Sequence, residues 1–145
     1  MFRLYSQKCA YVLKALSTVP LKKSKETFTA AALYQQANVP ESITRKALQA
    51  LSQAGYLETV TGPTGGYKFK KSPKSISLLE IITVIEKKDS YDHCIMGLPQ
   101  CDEQSPCPMH TMWMNMKACL FTTLKGMTVE DLLKIKKIQL TRISR

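Results

Sequence analysis

The spacing of hydrophobic and polar positions predicts a chain built mostly from short helices. Residues 8–19 and 30–37 are amphipathic, and the turn "NVP" follows the second of them. From about Glu41 the apolar positions recur with the helical period as far as Gly55, where a left-handed helix stop is expected. Two short helices separated by such a turn predict a helix-turn-helix.

The segment "YLETVTGPTGGYKFKK" follows this motif and changes the period of the pattern. Its aromatic and β-branched residues flank a Gly/Pro turn, which predicts two short strands joined as a hairpin. A hairpin directly after a helix-turn-helix predicts a winged helix. The expected fold class is therefore mainly α with a small β-hairpin wing.

The second half of the chain returns to helical periodicity. Ser77 and Glu80 form the pattern of a capping box, which predicts a helix to about Glu86. Another helix is predicted from about Thr111 to Gly126, with a last apolar segment starting at Thr128. We divide the chain into a winged-helix domain (1–75), a linking helix with a cysteine-rich loop (76–110), and a dimerisation helix with the C-terminal segment (111–145).

Charge changes this picture because it is unevenly spread. The chain carries a net charge of +10, and residues 1–75 hold 12 Lys+Arg against 3 Asp+Glu. A basic first half next to a nearly neutral second half favours a polyanion as partner, and with the winged helix it favours double-stranded DNA. No apolar run is long enough for a membrane span, and no signal peptide is evident, so we expect a cytoplasmic protein with reduced thiols.

The predicted recognition helix and wing carry side chains suited to DNA. Arg45 can bond guanine bidentately and Gln49 can pair with adenine. The hydroxyls of Ser42 and Thr44 suit phosphates or base edges, and the wing glycines allow a close approach of backbone to phosphate. The predicted DNA-contacting residues are Ser42, Thr44, Arg45, Lys46, Gln49, Gly65, Gly66 and Lys68.

The segment "HCIMGLPQCDEQSPCPMH" holds three of the five cysteines and both histidines. Its spacing is Cys94-x6-Cys101-x5-Cys107-x2-His110, and thiolate with imidazole is a donor set for soft or borderline metals. Only the last two residues are as close as the ligand pairs of structural zinc sites, so zinc is less favoured. Intervals of five and six residues suit a loop that wraps a two-iron cluster.

The segments "NVP", "AGYL", "GPTGGY" and "ISLLEII", in this order, resemble the bacterial iron–sulfur cluster regulators of the IscR and NsrR kind. With the cysteine loop and "TVEDL", the resemblance covers nearly the whole chain. It implies a homodimeric winged-helix transcription factor with a C-terminal dimerisation helix, a palindromic operator and a [2Fe-2S] cluster. Relatives usually begin the wing with Arg-Gly, whereas this chain has Thr61-Gly62, which puts a minor-groove arginine contact in doubt.

The resemblance also bears on the cluster ligands. "CPMHTMW" resembles the Cys-x-x-His-x-x-Trp pattern that completes the cluster site in the IscR branch, although the first cysteine interval here is one residue longer. The predicted ligands are Cys94, Cys101, Cys107 and His110. The NsrR branch takes a carboxylate from the partner's N-terminal helix, which leaves rivals for the fourth position: His93, Asp92, Asp102, Glu103 and, more remotely, Cys9.

Other interpretations of the loop stay open. A cluster-free thiol switch would form reversible disulfides among the three loop cysteines, and a structural zinc ion or another iron–sulfur cluster would use the same donors. A Cys/His hydrolase leaves the wing and charge unexplained, so we expect no enzyme. Cys119 and Cys9 are expected to be structural, Cys119 as a buried small hydrophobe. Trp113 and the nearby Met112, Met114 and Met116 are expected to pack at a helix or dimer interface.

Overall fold

A computed structural model describes residues 5–87 and 93–135 of the chain. Asp92 and residues 136–145 of the predicted C-terminal segment lie outside the described residues. The helices are α1 (Gln7–Leu16), α2 (Ala30–Ala37), α3 (Glu41–Gln53), α4 (Leu78–Glu86), α5 (His110–Gly126) and α6 (Val129–Leu133), and the strands are β1 (Leu57–Val60) and β2 (Gly66–Phe69).

The helix-turn-helix forms as the pattern predicts. The Thr29 hydroxyl accepts a hydrogen bond from the backbone N–H of Ala32 and so caps α2, which ends where Asn38 adopts the left-handed conformation with φ 52°. The buried face of α3 includes Leu48 and Leu51, which pack into the same core as α1, α2 and α4. Gly55 follows with φ 88°, the expected helix stop.

The predicted hairpin is a two-stranded antiparallel sheet in which Leu57 pairs with Phe69 and Val60 with Gly66. The segment before α2 joins this sheet, because Phe28 and Tyr67 exchange two backbone hydrogen bonds of 2.7 and 2.8 Å. The wing is thus connected to the helix-turn-helix in two ways: β1 follows α3 in the chain, and β2 is hydrogen-bonded to the segment before α2. This observation and the helical majority confirm the predicted winged-helix fold class.

The later helices return to the same core. The predicted capping box is present at α4, where the Ser77 hydroxyl accepts from the Glu80 N–H and the Glu80 carboxylate accepts from the Ser77 N–H. A second capping box begins α6, and the Val129 N–H donates to the Ile76 carbonyl at 2.8 Å. One hydrophobic cluster therefore includes residues from α1 through α6. Within the described residues no helix combines the length and apolar character needed to cross a bilayer.

Candidate DNA-binding surface and cysteine-histidine loop

The exposed face of α3 presents polar and basic side chains at helical spacing. Ser42, Arg45, Lys46 and Gln49 are all exposed, and positions three and four residues apart lie on one side of a helix. The sequence places this face on the second helix of a helix-turn-helix, the element that enters the major groove in such motifs. Four of the predicted recognition residues thus share one surface.

Arg45 is held in place by two neighbours. Its Nε donates to Oε1 of Glu41 at 2.7 Å, one helical turn earlier, and its guanidinium lies 5.7 Å from the centre of the Tyr34 ring on α2. The hydrogen bond that Arg45 donates to the Glu41 carboxylate is the main cause that raises the pKa of Arg45. Because Nε is occupied, the terminal guanidinium nitrogens remain for an end-on bidentate contact. The role of Glu41 as a partner of Arg45 was not predicted from the sequence, although the Glu-x-x-x-Arg spacing indicates such a pair.

The prediction that Thr44 lies on the exposed side of α3 is wrong. Its side chain is 2% exposed, and its hydroxyl donates to the Pro40 carbonyl at 3.0 Å. A threonine in the first turn can satisfy its own hydroxyl through the backbone one turn earlier, which permits burial beside apolar neighbours. Thr44 therefore belongs to the core and is not available to phosphates or bases.

The wing residues have structural partners of their own. The Nζ of Lys68 lies 3.1 Å from a carboxylate oxygen of Glu58, directly across the hairpin. A Cβ at Gly65 would lie 2.4 Å from the Val60 carbonyl oxygen, and one at Gly66 would lie 2.4 Å from that of Phe28. Gly65 is thus required by close packing within the wing, and Gly66 by close packing against the segment before α2.

The cysteine loop brings its first and third cysteines together. The sulfurs of Cys94 and Cys107 are 3.9 Å apart, and Cys94 is only 3% exposed. The pKa of Cys94 is lowered, chiefly because the backbone N–H of Met96 donates to its sulfur; Leu98, Cys107 and Gly97 contribute further hydrogen bonds, which together outweigh the effect of burial. This arrangement stabilises a thiolate, the form that binds metals and attacks disulfides.

The second cysteine pairs with the histidine. The sulfur of Cys101 lies 3.3 Å from Nδ1 of His110, the first residue of α5. The four predicted ligands therefore form two pairs, Cys94 with Cys107 and Cys101 with His110. Within residues 5–87 and 93–135, no three His, Cys, Asp or Glu side chains are grouped so as to hold one metal ion.

The alternative residues for the fourth ligand position differ in their surroundings. The indole N–H of Trp113 donates to the His93 carbonyl at 3.1 Å, and the two rings lie 5.7 Å apart. The Asp102 carboxylate accepts from the backbone N–H of Gln104 at 2.9 Å. Glu103 is exposed, and Asp92 lies outside the described residues. Trp113 is buried as predicted and connects α5 to the start of the loop.

The two remaining cysteines differ from each other. Cys9 is fully buried, and burial together with the negative charge of Glu86 raises its pKa to about 12. Cys119, by contrast, is exposed, so the prediction that it is a buried hydrophobe is wrong. The apolar contacts of α5 run through Trp113 and Leu124, and Cys119 lies off that buried face. Among the described residues all five cysteines are free thiols.

Large apolar side chains are exposed along the loop and α5. The exposed fractions of Met112, Met114 and Met116 are 44%, 37% and 40% in the single chain. A groove of about 660 Å³ lies between α1, α4 and the C-terminal segment, with Tyr11 and Ile135 among its lining residues. Exposed apolar surface of this kind is typical of an interaction site.

A winged helix with a basic recognition face, joined to a loop of paired thiols and imidazole, defines a DNA-binding protein with a candidate regulatory site. The chain belongs to the Rrf2 family, described as iron-dependent transcriptional regulators, whose family model matches residues 5–135. The resemblance found in the sequence is thereby confirmed at the level of the family, and the chain is a transcriptional regulator of this class.

Individual relatives agree with this assignment. An HTH-type transcriptional regulator of Aquifex aeolicus is 27% identical over 144 residues, which cover 98% of this chain and 99% of the relative. The structure of CymR, the global cysteine regulator of B. subtilis, is similar with a TM-score of 0.72 and 22% identity over 92% of this chain and 97% of that one. IscR of T. potens is similar with a TM-score of 0.69 and 20% identity, over 92% of this chain and 87% of that one.

Proposed function

We propose that this chain is a sequence-specific DNA-binding regulator that senses redox state, nitric oxide or iron–sulfur status through a [2Fe-2S] cluster in its loop. Ser42, Arg45, Lys46 and Gln49 read or position the DNA, and the wing contributes Lys68 with the backbone at Gly65 and Gly66. The exposure of the first four on one face of α3 supports this assignment. We place the protein in the cytoplasm, where thiols stay reduced.

The observation that carries the cluster proposal is the arrangement of the ligands in two pairs. Two thiolates on one tetrahedral metal, with bonds of about 2.3 Å, lie about 3.8 Å apart, and a thiolate with an imidazole nitrogen lies about 3.6 Å apart. The distances of 3.9 Å for Cys94 and Cys107 and 3.3 Å for Cys101 and His110 are close to these values. Because each iron of a [2Fe-2S] cluster takes two protein ligands, each pair would serve one iron.

The amides around Cys94 favour this chemistry. A thiolate that accepts backbone hydrogen bonds needs no proton to stay buried, so the ligand is prepared before the metal arrives. When bound, the cluster supplies a centre that can be oxidised, reduced, attacked by nitric oxide or lost. Each of these events would change the charge and ligation of the four side chains, and His110, the first residue of α5, would transmit that change to the first turn of the helix.

The regulator is expected to act as a homodimer on a palindromic operator. The exposed methionines of α5 and the apolar groove beside α1 offer two surfaces that a second copy can cover. A two-fold dimer presents two recognition helices related by symmetry, which requires half-sites one or two helical turns apart. Loop-dependent changes at α5 would alter the spacing of these helices and hence operator affinity.

A cluster-free thiol switch is the second candidate, and one observation favours it. Cys94 has a lowered pKa and its sulfur lies 3.9 Å from that of Cys107, so a short movement would permit a disulfide with its S–S length of about 2.05 Å. Two thiols would give up two protons and two electrons to an oxidant such as a peroxide. The similarity in fold to a global cysteine regulator is compatible with this candidate. Structural zinc on the same donors is a third outcome.

Variants of the second pair separate the two candidates. Cys101→Ala and His110→Ala should remove the cluster and its effect on operator affinity, whereas a Cys94–Cys107 disulfide needs neither residue. Operator binding is measured anaerobically with and without iron and sulfide, and then with peroxide and dithiothreitol. Cys119→Ala, an exposed thiol outside both pairs, is the matched control and should behave like the wild type. If Cys101→Ala keeps full cluster occupancy and full iron-dependent regulation, the proposed ligand set is wrong.

A further inference from the structure

A second basic surface lies beside the recognition helix, in a cleft between α1, α3 and the end of α4. The cleft has a volume of about 270 Å³, and three elements each contribute one lysine to its lining: Lys8, Lys46 and Lys87. All three lysines are exposed. The remaining lining is the hydroxyl of Ser42 and the apolar residues Ile43, Ala47, Ala50, Val84 and Ile85. Lysine stems can cover such an apolar floor while their ammonium groups reach water.

Among the described residues, the lining of the cleft carries positive charge only. Within residues 5–87 and 93–135, no carboxylate lines the cleft and no ion pair involves the three lysines. Glu86 precedes Lys87 but accepts hydrogen bonds from the Ser6 hydroxyl and from the Ser6 N–H at 3.3 Å, at the start of α1. Glu41 on α3 is engaged by Arg45. Three lysines around one small cleft with a hydroxyl donor are suited to a phosphate.

We propose that this cleft clamps a backbone phosphate of the operator next to the bases that α3 reads. Ser42 and Lys46 belong both to the cleft and to the exposed face of α3, so a duplex whose major groove receives Arg45 brings a phosphate strand to the cleft. Lys8 and Lys87 thereby join the DNA-binding residues, from elements outside the helix-turn-helix. This inference rests on the proposed DNA-binding function.

The clamp also connects the cysteine loop to DNA. Lys87 caps α4 with φ 66°, and Cys94 follows it by seven residues. A change of ligation in the loop that shifts the end of α4 moves one of the three lysines relative to the phosphate. The loop state then changes operator affinity through a phosphate contact, without any change in which bases are read.

The test is the salt dependence of DNA binding by the full chain, measured by fluorescence anisotropy on an operator and on a scrambled duplex. Each lost phosphate contact reduces the slope of log K against log salt by about one and weakens binding to both duplexes alike. We expect a reduced slope for Lys8→Gln and for Lys87→Gln, and a reduction of about one per bound chain for the double variant, because the lysines of one cleft share one phosphate. The ratio of operator to scrambled affinity should stay constant.

Two controls make the test specific. Lys87→Arg keeps the charge and should restore the slope, and Lys125→Gln, which removes an exposed lysine from the end of α5, should leave it unchanged. If wild-type binding is strongly salt-dependent but Lys8→Gln and Lys87→Gln match Lys125→Gln, the clamp is refuted while the DNA-binding function stands. If the wild type binds no duplex, the proposed function itself fails.

A free anion is the competing occupant of the cleft. Inorganic phosphate at constant ionic strength should compete weakly with operator DNA, equally for wild type and Lys125→Gln. Selective inhibition by phosphate that disappears in Lys8→Gln, with an unchanged salt slope, would assign the cleft to a small anion and overturn the clamp. As a second readout, loading or removing the cluster should change the slope of the wild type by more than that of Lys87→Gln.

Discussion

The winged-helix core and the cysteine loop each bury one cysteine, and the two thiols are shifted in opposite directions. Cys9 is fully buried among apolar residues near Glu86, and its pKa is raised to about 12. Cys94 is almost as buried at 3% exposure, yet its pKa is lowered because backbone N–H groups, first that of Met96, donate to its sulfur. Burial is thus the main cause that raises the pKa of Cys9, whereas hydrogen-bond donors are the main cause that lowers the pKa of Cys94.

The winged-helix core and the cysteine loop also differ in the interactions that hold them together. The core is held by interlocking apolar side chains and by backbone hydrogen bonds between distant segments, such as Phe28 with Tyr67 and Val129 with Ile76. The described loop, from His93 to α5, contains no helix or strand, and its side-chain contacts include the Cys94–Cys107 and Cys101–His110 pairs and the hydrogen bond from Trp113. A region held by sulfur and imidazole depends on the chemical state of those groups, whereas the core does not.

The two thiols provide the largest expected difference. In metal-free reduced protein, the ultraviolet absorbance of thiolate should show Cys94 ionised below the usual pH range of a thiol and Cys9 protonated up to about pH 12. Cys94→Ala should remove the early step, and Cys9→Ala should leave it intact. Because the folded pKa of Cys94 is lowered, its contribution to stability is present above the unfolded thiol pKa and declines as pH falls through the folded value.

An early absorbance step that survives in Cys94→Ala would show that another thiol carries it. The account of the backbone donors at Met96, Gly97 and Leu98 would then be wrong.

Stability should separate the two regions next. Leu51→Ala removes a side chain that is 1% exposed in the core, and we expect a loss of about 2–5 kcal/mol in the free energy of unfolding. Cys101→Ala alters a half-buried loop residue and should cost less than about 1 kcal/mol in metal-free protein. Urea denaturation followed by circular dichroism measures both. If Cys101→Ala lowers the free energy of unfolding as much as Leu51→Ala, the proposed difference between loop and core is wrong.

Substitutions on the exposed face of α3 should have a smaller effect, on operator affinity, and should not change the free energy of unfolding. Arg45→Ala should cost about 1–3 kcal/mol of operator affinity and relax base preference at one position. Glu41→Gln should reduce the difference in binding free energy between operator and scrambled duplex by less than about 1 kcal/mol. The reason is that the Arg45 guanidinium loses its charged, exposed partner at 2.7 Å. The control is Glu130→Gln, which weakens another ion pair with i,i+4 spacing, 3.5 Å long, between Glu130 on α6 and Lys134 just after it. If Arg45→Ala keeps the base preference of the wild type, the assignment of this face of α3 to base recognition is wrong.

Most of the fold could be predicted from the sequence because local signals decide it. The bounds of α2, the capping box at Ser77 and the stop at Gly55 follow from capping and turn chemistry that acts within a few residues. The apolar period of α3 predicted the burial of Leu48 and Leu51. Thr44 was misplaced because its polarity was counted, whereas its hydroxyl bonds to the Pro40 carbonyl and permits burial.

The site was less accessible to sequence reasoning because it depends on distant contacts. The four candidate ligands of the loop were predicted from residue type and spacing, and their division into two pairs depends on how the loop folds against α5. Cys119 was predicted to be buried from apolar neighbours, whereas helix orientation leaves it exposed. The cleft that joins Lys8, Lys46 and Lys87 brings together positions from three helices, and no local pattern connects them.

The central claim is that the paired donors of the loop hold an iron–sulfur cluster. Its most direct test is metal and acid-labile sulfide analysis, with a visible spectrum, of protein purified without oxygen. The account predicts a brown protein with about two iron and two sulfide per chain, as a [2Fe-2S] cluster requires. A colourless protein that contains stoichiometric zinc and no sulfide, or no metal at all, would contradict it.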